Sequence, residues 1–216
     1  KKTVQRQEMQ VTSAYGTMLE NKIGYIRIAS FKENTVEQFQ NALNQLLKQG
    51  VKGLVFDVRE DGGGLVAALE KIVDPLLPAG DIATATYQDG TTKVLVHSDA
   101  NELNLPMMVL VNGNTASAAE LFTASLKDFG KAEVIGEQTF GKGIMQNTFE
   151  LPDGGAVTLT VATYQTTKGE CYHGVGIAPD VIMEEDYEKV DFDHPNPEQD
   201  AQLKQAMELL QSKISS

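Results

Sequence analysis

Cysteine is almost missing from this chain, which has Cys171 as its one thiol among 216 residues. A single cysteine excludes an internal disulfide, and the three scattered histidines form no Cys or His cluster with the spacing of a zinc site. Long apolar runs are also missing, since no stretch reaches the roughly 20 residues that a membrane-spanning helix needs. No internal repeat or low-complexity segment occurs. These absences argue against disulfide-stapled, zinc-binding, membrane-spanning and repeat proteins.

Basic residues are in the minority. The chain has 18 Lys and Arg against 30 Asp and Glu, which gives a formal net charge of −12. Phosphate contacts need a basic face, so this balance argues against a nucleic-acid partner, although it says little about a protein substrate. With 41% hydrophobic residues the chain can bury one core and is most simply a single domain.

Strands and helices alternate along the chain. Short apolar runs at 22–28, 53–58, 107–111 and 132–135 predict strands, and apolar stripes at helical spacing predict the helices between them. Thr35, with Gln38 three residues on, fits a capping box at the start of the first helix. Two further segments, 82–97 and 145–164, alternate as hairpins around glycine turns. The acidic stretch 184–193 is typical of a solvated linker, and 200–214 predicts an amphipathic helix that packs on the core or on another subunit.

Ser117 is placed where a nucleophile would be useful. The strand at 107–111 runs into a polar turn, and the turn leads into an alanine-rich helix whose first turn carries Ser117. The first amides of a helix have no intrahelical acceptor and lie at its positive dipole end. An oxyanion that forms beside Ser117 would therefore meet the amide of Ala118.

A serine hydroxyl needs a partner that takes its proton during attack. Lys142 lies 25 residues after Ser117, flanked by Gly141 and Gly143. A helix and a returning strand fill that distance, which would bring both side chains to one end of a sheet. Lysine accepts a proton only when neutral, and an enclosed site without a carboxylate favours the neutral amine. Residues 142, 144 and 146 would share one face of the next strand, so Gln146 could orient the amine.

These residues resemble those of the C-terminal processing peptidases, also called tail-specific proteases. The matching stretches are TASAAE at 115–120, Gly136-Glu137, and FGKG at 140–143 with Gln146. The resemblance runs from about Gly24 to Val181 and continues weakly into the last helix. It implies that Ser117 is the nucleophile, Lys142 the general base and Gln146 the residue that orients the lysine. It also implies an α/β fold with a ClpP/crotonase-like core, a mixed sheet, flanking helices and β-hairpins, and no cofactor.

A glycine turn follows the buried run at 53–58. It reads REDGGG at 59–64, and strand, glycine turn and helix together form the arrangement in which ligands bind beyond a strand's carboxyl end. In the family this turn supplies one oxyanion amide, and Gly63 matches that donor. Glu60 and Asp61 depart from the asparagines that are usual there, which predicts different local hydrogen bonds. Taken alone, the turn would need its glycines for geometry only.

Other interpretations of the same residues stay open. GEQTFGKG at 136–143 nearly spells a phosphate-binding loop, but Gly143 replaces the magnesium ligand and a strand follows where that loop needs a helix. Cys171 lies two residues from His173, although a lone cysteine in a polar loop is usually incidental. A triad of Ser117 with one of the three histidines is compatible with the distances along the chain. Glu120, one turn beyond Ser117, fits a residue that holds the helix in place.

The combined pattern favours a serine endopeptidase that acts on protein substrates, with a non-catalytic binding module of the same fold as the alternative. The resemblance divides the chain into 1–22, a lead-in strand from an upstream PDZ region; 23–186, the catalytic core; and 187–216, a linker with the last helix. Because the chain opens on Lys1-Lys2, we expect it to be a piece of a longer protein, with the PDZ region that captures substrate tails in the family lying upstream. Relatives act outside the cytoplasm, so the resemblance also implies an extracytoplasmic location, a possible membrane anchor upstream and a possible homo-oligomer.

Overall fold

The computed structural model describes residues 11–99 and 102–215. Its strands, in chain order, are β1 (Ala14–Met18), β2 (Ile23–Ile28), β3 (Gly53–Asp57), β4 (Gly80–Tyr87), β5 (Thr92–Ser98), β6 (Met107–Val111), β7 (Ala132–Gly136), β8 (Ile144–Glu150), β9 (Ala156–Thr166) and β10 (Val181–Ile182). The helices are α1 (Glu33–Lys48), α2 (Val66–Val73), α3 (Ala118–Asp128) and α4 (Ala201–Ser215), with short 3-10 turns at Glu20–Lys22 and Asp74–Leu76.

A six-stranded mixed sheet forms the centre of the fold, in the order β1-β2-β3-β6-β7-β10. The pair β1 and β2 is antiparallel, and every other neighbouring pair is parallel. The strands β2, β3 and β6 are buried at every residue, as expected for continuous apolar runs covered on both faces. Burying a side chain such as Phe56 stabilises the fold by about 1.5–3 kcal/mol.

Helices cover both faces of this sheet. Phe39 of α1, Leu69 of α2 and Phe122 of α3 pack on one face in the larger apolar core. Leu203 and Leu210 of α4 pack on the other face, in a second core with the alternate residues of the same strands. The predicted last helix therefore packs on the core of its own chain.

A second sheet of four antiparallel strands, in the order β5-β4-β9-β8, carries the two predicted hairpins. The pairing of β4 with β9 joins them. Gly143, just before β8, accepts a hydrogen bond from the amide of Tyr164 in β9 (3.0 Å), which ties the predicted lysine loop to this sheet.

Two local predictions need correction. Helix α1 begins at Glu33, and Thr35 lies inside its first turn, where its hydroxyl accepts the N–H of Lys32 (2.9 Å), so the expected capping box at Thr35 is wrong. Residues 1–10 of the predicted lead-in segment lie outside the described residues, and its later part contains β1, an edge strand of the main sheet. The stretch 184–193 is not simply a solvated linker, because Phe192 lies under two arginines and Tyr187 donates to Glu137 (2.7 Å).

Within residues 11–99 and 102–215, none of the helices combines the length and apolar character that crossing a membrane requires.

Candidate active site

Ser117 lies at a sharp turn between the carboxyl end of β6 and the first turn of α3. It is the N-cap residue of α3, and its backbone has φ 57° and ψ −119°. A residue with a side chain adopts positive φ only at a cost of about 1–3 kcal/mol, so the surrounding contacts must hold it there. The Ser117 side chain is half-buried, and its Oγ contacts β9 of the second sheet.

The buried carboxylate of Glu120 holds this turn. Its Oε2 accepts the backbone N–H of Ser117 (2.9 Å) and that of Lys142 (2.7 Å). Its Oε1 accepts the Thr139 hydroxyl (2.6 Å) and the Gly141 N–H (2.6 Å). Hydrogen bonds to a buried carboxylate are among the stronger ones in proteins. Glu120 therefore does more than hold its helix, since one carboxylate oxygen fixes both the serine and the lysine backbones.

Lys142 follows the loop that Glu120 binds and precedes β8. Its side chain is half-buried, and its Nζ makes no hydrogen bond or ion pair with any residue that the structure describes. The loop packs closely on 172–176, where a β-carbon at Gly143 would lie 2.9 Å from the His173 backbone nitrogen. Ser117 and Lys142 thus lie on adjoining, jointly anchored segments, without a hydrogen bond between their side chains in this conformation.

Tyr164 of β9 contacts Ser117 directly, and no pattern in the sequence predicts this contact. Its hydroxyl lies 2.9 Å from Ser117 Oγ and 2.8 Å from the carbonyl oxygen of Lys142. The ring is 3% exposed and packs edge-on against Tyr172 at a centroid distance of 6.0 Å. Burial raises the pKa of Tyr164, so its hydroxyl stays protonated.

The glycine turn after β3 lies against the same serine. A β-carbon at Gly63 would stand 2.8 Å from Ala118 N and 2.8 Å from Ser117 Cβ, so this position has room only for glycine. Gly63 also has φ 95°, which favours glycine. The two predicted oxyanion donors, Gly63 and Ala118, are therefore neighbours across the turn.

The N–H of Gly63 already has an acceptor in this conformation. It donates to Asp61 Oδ1 at 2.7 Å, while Asp61 Oδ2 is buried without a hydrogen-bond partner among the described residues. Burial raises the pKa of Asp61 to about 7. The hydrogen bond from the Gly63 N–H and the charge of the more distant Arg27 both lower the pKa, but burial outweighs them. An oxyanion could use the Gly63 amide only after the bond to Asp61 is released.

A buried ionic network supports the turn from below. Arg59 is fully buried and pairs with Asp57 through Nε and Nη2 (3.0 and 2.6 Å) and with Asp200 through Nη1 and Nη2 (3.0 and 2.6 Å). Burial alone would raise the pKa of Asp57, but Arg59 and Arg27 outweigh it and hold the pKa below its usual value. Arg59 thereby fixes the start of the glycine turn to β3 and to the beginning of α4.

Gln146 does not contact the lysine here. It is exposed, and its side chain makes no hydrogen bond within the part of the chain that the structure describes. Lys142 precedes β8, and the pairing of β8 with β9 shifts register between Met145 and Gln146. The shared face predicted for 142, 144 and 146 is therefore absent in this conformation, and the orienting role of Gln146 stays a prediction.

The histidines and the cysteine lie apart from the serine side chain. His97 pairs with Asp81 and His194 with Asp191, both at the surface. His173 lies against the lysine loop, with Nδ1 3.2 Å from the Gly141 carbonyl oxygen. Cys171 is exposed. Among the described residues no group of three His, Cys, Asp or Glu side chains is arranged to hold a metal ion.

With this geometry in place, comparison with known proteins defines the family. The chain belongs to peptidase family S41, whose sequence profile matches residues 22–183. It is 40% identical over 165 residues to the chloroplastic C-terminal processing peptidase of Tetradesmus obliquus, an alignment that covers 76% of this chain and 35% of that protein. It is 37% identical over 192 residues to the carboxy-terminal processing protease CtpA of Bacillus subtilis (strain 168), covering 88% and 41%. The chain thus spans less than half the length of these relatives.

A solved structure gives the same answer for the fold. The photosystem II D1 C-terminal processing protease superposes with a TM-score of 0.75 at 34% identity, covering 86% of this chain and 51% of that one. This likeness confirms the predicted α/β fold with a mixed sheet, helices and hairpins, and the family match confirms the predicted family.

Proposed function

We propose that this chain is the catalytic core of a serine endopeptidase that hydrolyses peptide bonds of protein substrates near their C-termini. The observation that carries the proposal is the anchoring of Ser117 and Lys142 to one oxygen of Glu120, in a chain of peptidase family S41. One carboxylate therefore fixes two separate segments beside a serine whose backbone is strained. A turn with a purely structural role would not require this arrangement.

In the proposed reaction Ser117 Oγ attacks the substrate carbonyl carbon while neutral Lys142 takes the hydroxyl proton. The lysine then gives this proton to the leaving amine, which departs with the C-terminal part of the substrate. Water hydrolyses the resulting ester on Ser117, again with Lys142 as the base, and restores the serine. Gln146 orients the lysine in this scheme once the segment before β8 brings the two side chains together.

In this proposal the backbone N–H groups of Gly63 and Ala118 donate hydrogen bonds to the oxyanion of the tetrahedral intermediate and stabilise its negative charge. Support comes from their closeness across the turn and from the position of Ala118 in the first turn of α3. One such donor is worth a factor of about a hundred to a thousand in turnover. The hydrogen bond from Gly63 to Asp61 must open for this donor to act, so substrate binding has to displace the Asp61 carboxylate.

Partners and location follow from family resemblance alone. We propose that the substrates are proteins or peptides and that nucleic acid is no partner, in keeping with the net charge of −12. An extracytoplasmic location, a membrane anchor upstream and assembly into a homo-oligomer belong to the same proposal.

Hydrolysis of unfolded casein tests the function. The parent chain should cleave casein, and Ser117→Ala should abolish cleavage. Ser125→Ala is the matched control, because Ser125 lies in the same helix and donates only to the Leu121 carbonyl (2.7 Å), so this variant should keep parental activity. Equal cleavage by the parent and Ser117→Ala would show that Ser117 is not the nucleophile. A folded parent without any cleavage would favour the non-catalytic binding module.

A further inference from the structure

The position of Tyr164 is fixed independently of Ser117. Its backbone N–H donates to the carbonyl of Gly143 (3.0 Å), and its residue in β9 pairs with Ala85 of β4. The ring is buried against Tyr172. These contacts hold the hydroxyl between the serine oxygen and the backbone of the lysine loop.

The direction of each hydrogen bond follows from the chemistry of the partners. The Lys142 carbonyl oxygen can only accept, so Tyr164 donates its one proton there (2.8 Å). Tyr164 has no second proton to give, so Ser117 Oγ donates at the other contact (2.9 Å). The resting arrangement is thus a chain from the serine hydroxyl through the phenol to the carbonyl.

We propose that Tyr164 is a third catalytic residue, whose hydroxyl holds Ser117 Oγ before attack and donates a hydrogen bond to that oxygen once the serine proton has left. This inference rests on the proposed function. The serine proton passes to Lys142 Nζ, and Oγ forms its bond to the substrate carbonyl carbon. Tyr164 keeps its own proton and only rotates it, about the bond between its ring and its oxygen, from the Lys142 carbonyl to Oγ.

The same donor serves the second half of the reaction. When water attacks the ester on Ser117, Lys142 takes a proton from the water, and Oγ becomes the leaving atom. A hydrogen bond from Tyr164 to Oγ stabilises the charge that develops on it, after which Lys142 returns the proton to Oγ. Because burial raises the pKa of Tyr164, the phenol remains a donor throughout the neutral range.

Tyr164→Phe removes the hydroxyl and keeps the ring that packs on Tyr172. Tyr15→Phe is the matched control, since it removes a buried phenol hydroxyl in β1 that has no hydrogen-bond partner among the described residues. Two rates are measured for each variant: labelling of Ser117 by a fluorophosphonate probe, followed by intact mass, and cleavage of a fluorogenic peptide that the parent cleaves. Thermal unfolding by circular dichroism checks that each variant is folded.

We expect Tyr164→Phe to lower both the labelling rate and kcat by about ten- to a hundredfold, the range of a hydrogen bond to a charged group. KM should stay at the parental value, because the lost contact is to a reacting atom and not to the substrate. Tyr15→Phe should label and cleave like the parent.

Labelling of Tyr164→Phe at the parental rate or faster would overturn the proposal, as would a variant that loses activity only through KM. These results leave the proposed function intact, since the parent is still labelled at Ser117. If the probe fails to label Ser117 in the folded parent, the proposed function itself is wrong, and the role of Tyr164 is overturned with it.

Discussion

Replacing Asp61 with asparagine should make the chain more stable at neutral pH, and the gain should vanish in acid. Asp61 is fully buried next to Ser117, one of its oxygens accepts only the Gly63 N–H, and the other has no partner among the described residues. Burial raises its pKa to about 7 from a usual value of 3.8. The folded chain therefore binds the Asp61 proton more tightly than the unfolded chain.

The sign and size of the effect follow from this difference. Below about pH 4 the carboxyl is protonated in both states, and its charge costs the fold nothing. Between about pH 4 and 7 the unfolded chain ionises first, so the folded state becomes progressively less stable, and above about pH 7 the loss is complete. Three pKa units correspond to about 4 kcal/mol, an upper value that relaxation of the turn will reduce. Asparagine keeps an acceptor for Gly63 and carries no charge.

Urea unfolding of the parent and Asp61→Asn at several values between about pH 4 and 8 measures the effect. The difference in unfolding free energy should grow in favour of the variant up to about pH 7 and then level off. Asp153→Asn is the matched control, because Asp153 accepts the Gly155 N–H in the same way (3.0 Å) in an exposed turn, so this variant should follow the parent at every pH. A difference for Asp61→Asn that does not change with pH would refute the reasoning.

Two further substitutions test how the site is held together. Gly63→Ala should abolish casein cleavage and lower the unfolding free energy by about 1–3 kcal/mol. The reason is that the new methyl group would lie 2.7 Å from the Ala116 carbonyl oxygen, at a residue with positive φ. Parental cleavage would show that the turn is not part of the site. Glu120→Gln should cut cleavage at least about tenfold and destabilise the chain by roughly 3 kcal/mol. The amide nitrogen would replace one carboxylate oxygen, so two of the four hydrogen bonds that Glu120 accepts would be lost. Full activity with parental stability in urea would contradict the anchoring role.

The sequence revealed the parts of the site that are local. The strand predicted at 107–111 is β6, with the same bounds, and Ser117 at the start of the following helix could be read from strand, polar turn and alanine-rich run alone. The glycine turn could be found in the same way. The paired strands at 82–97 and 145–164 were also predictable, because their alternation and turn residues are short-range signals.

Contacts between distant segments could not be predicted in this way. Tyr164 lies 47 residues from Ser117 in a strand whose pattern only indicates a hairpin, and Asp200 lies 141 residues from Arg59. The hydrogen bond from the Gly63 amide to Asp61 depends on the rotamer of one side chain, which the residue spacing does not determine. For Gln146, the shared face with Lys142 required strand alternation to continue back to residue 142, whereas β8 begins at Ile144, so the orienting role of Gln146 stays a prediction.

The central claim is that Ser117 is the nucleophile and Lys142 its base. Its most direct test is the rate at which a fluorophosphonate probe labels Ser117, measured across pH by intact mass. The parent should be labelled at Ser117, because Lys142 takes the serine proton as Oγ attacks the probe. Lys142→Arg should not be labelled at any accessible pH, because arginine stays charged, while the exposed control Lys168→Arg and the variants His97→Ala, His173→Ala and His194→Ala should be labelled like the parent. Parental labelling of Lys142→Arg, or a folded histidine variant that is not labelled, would contradict the account.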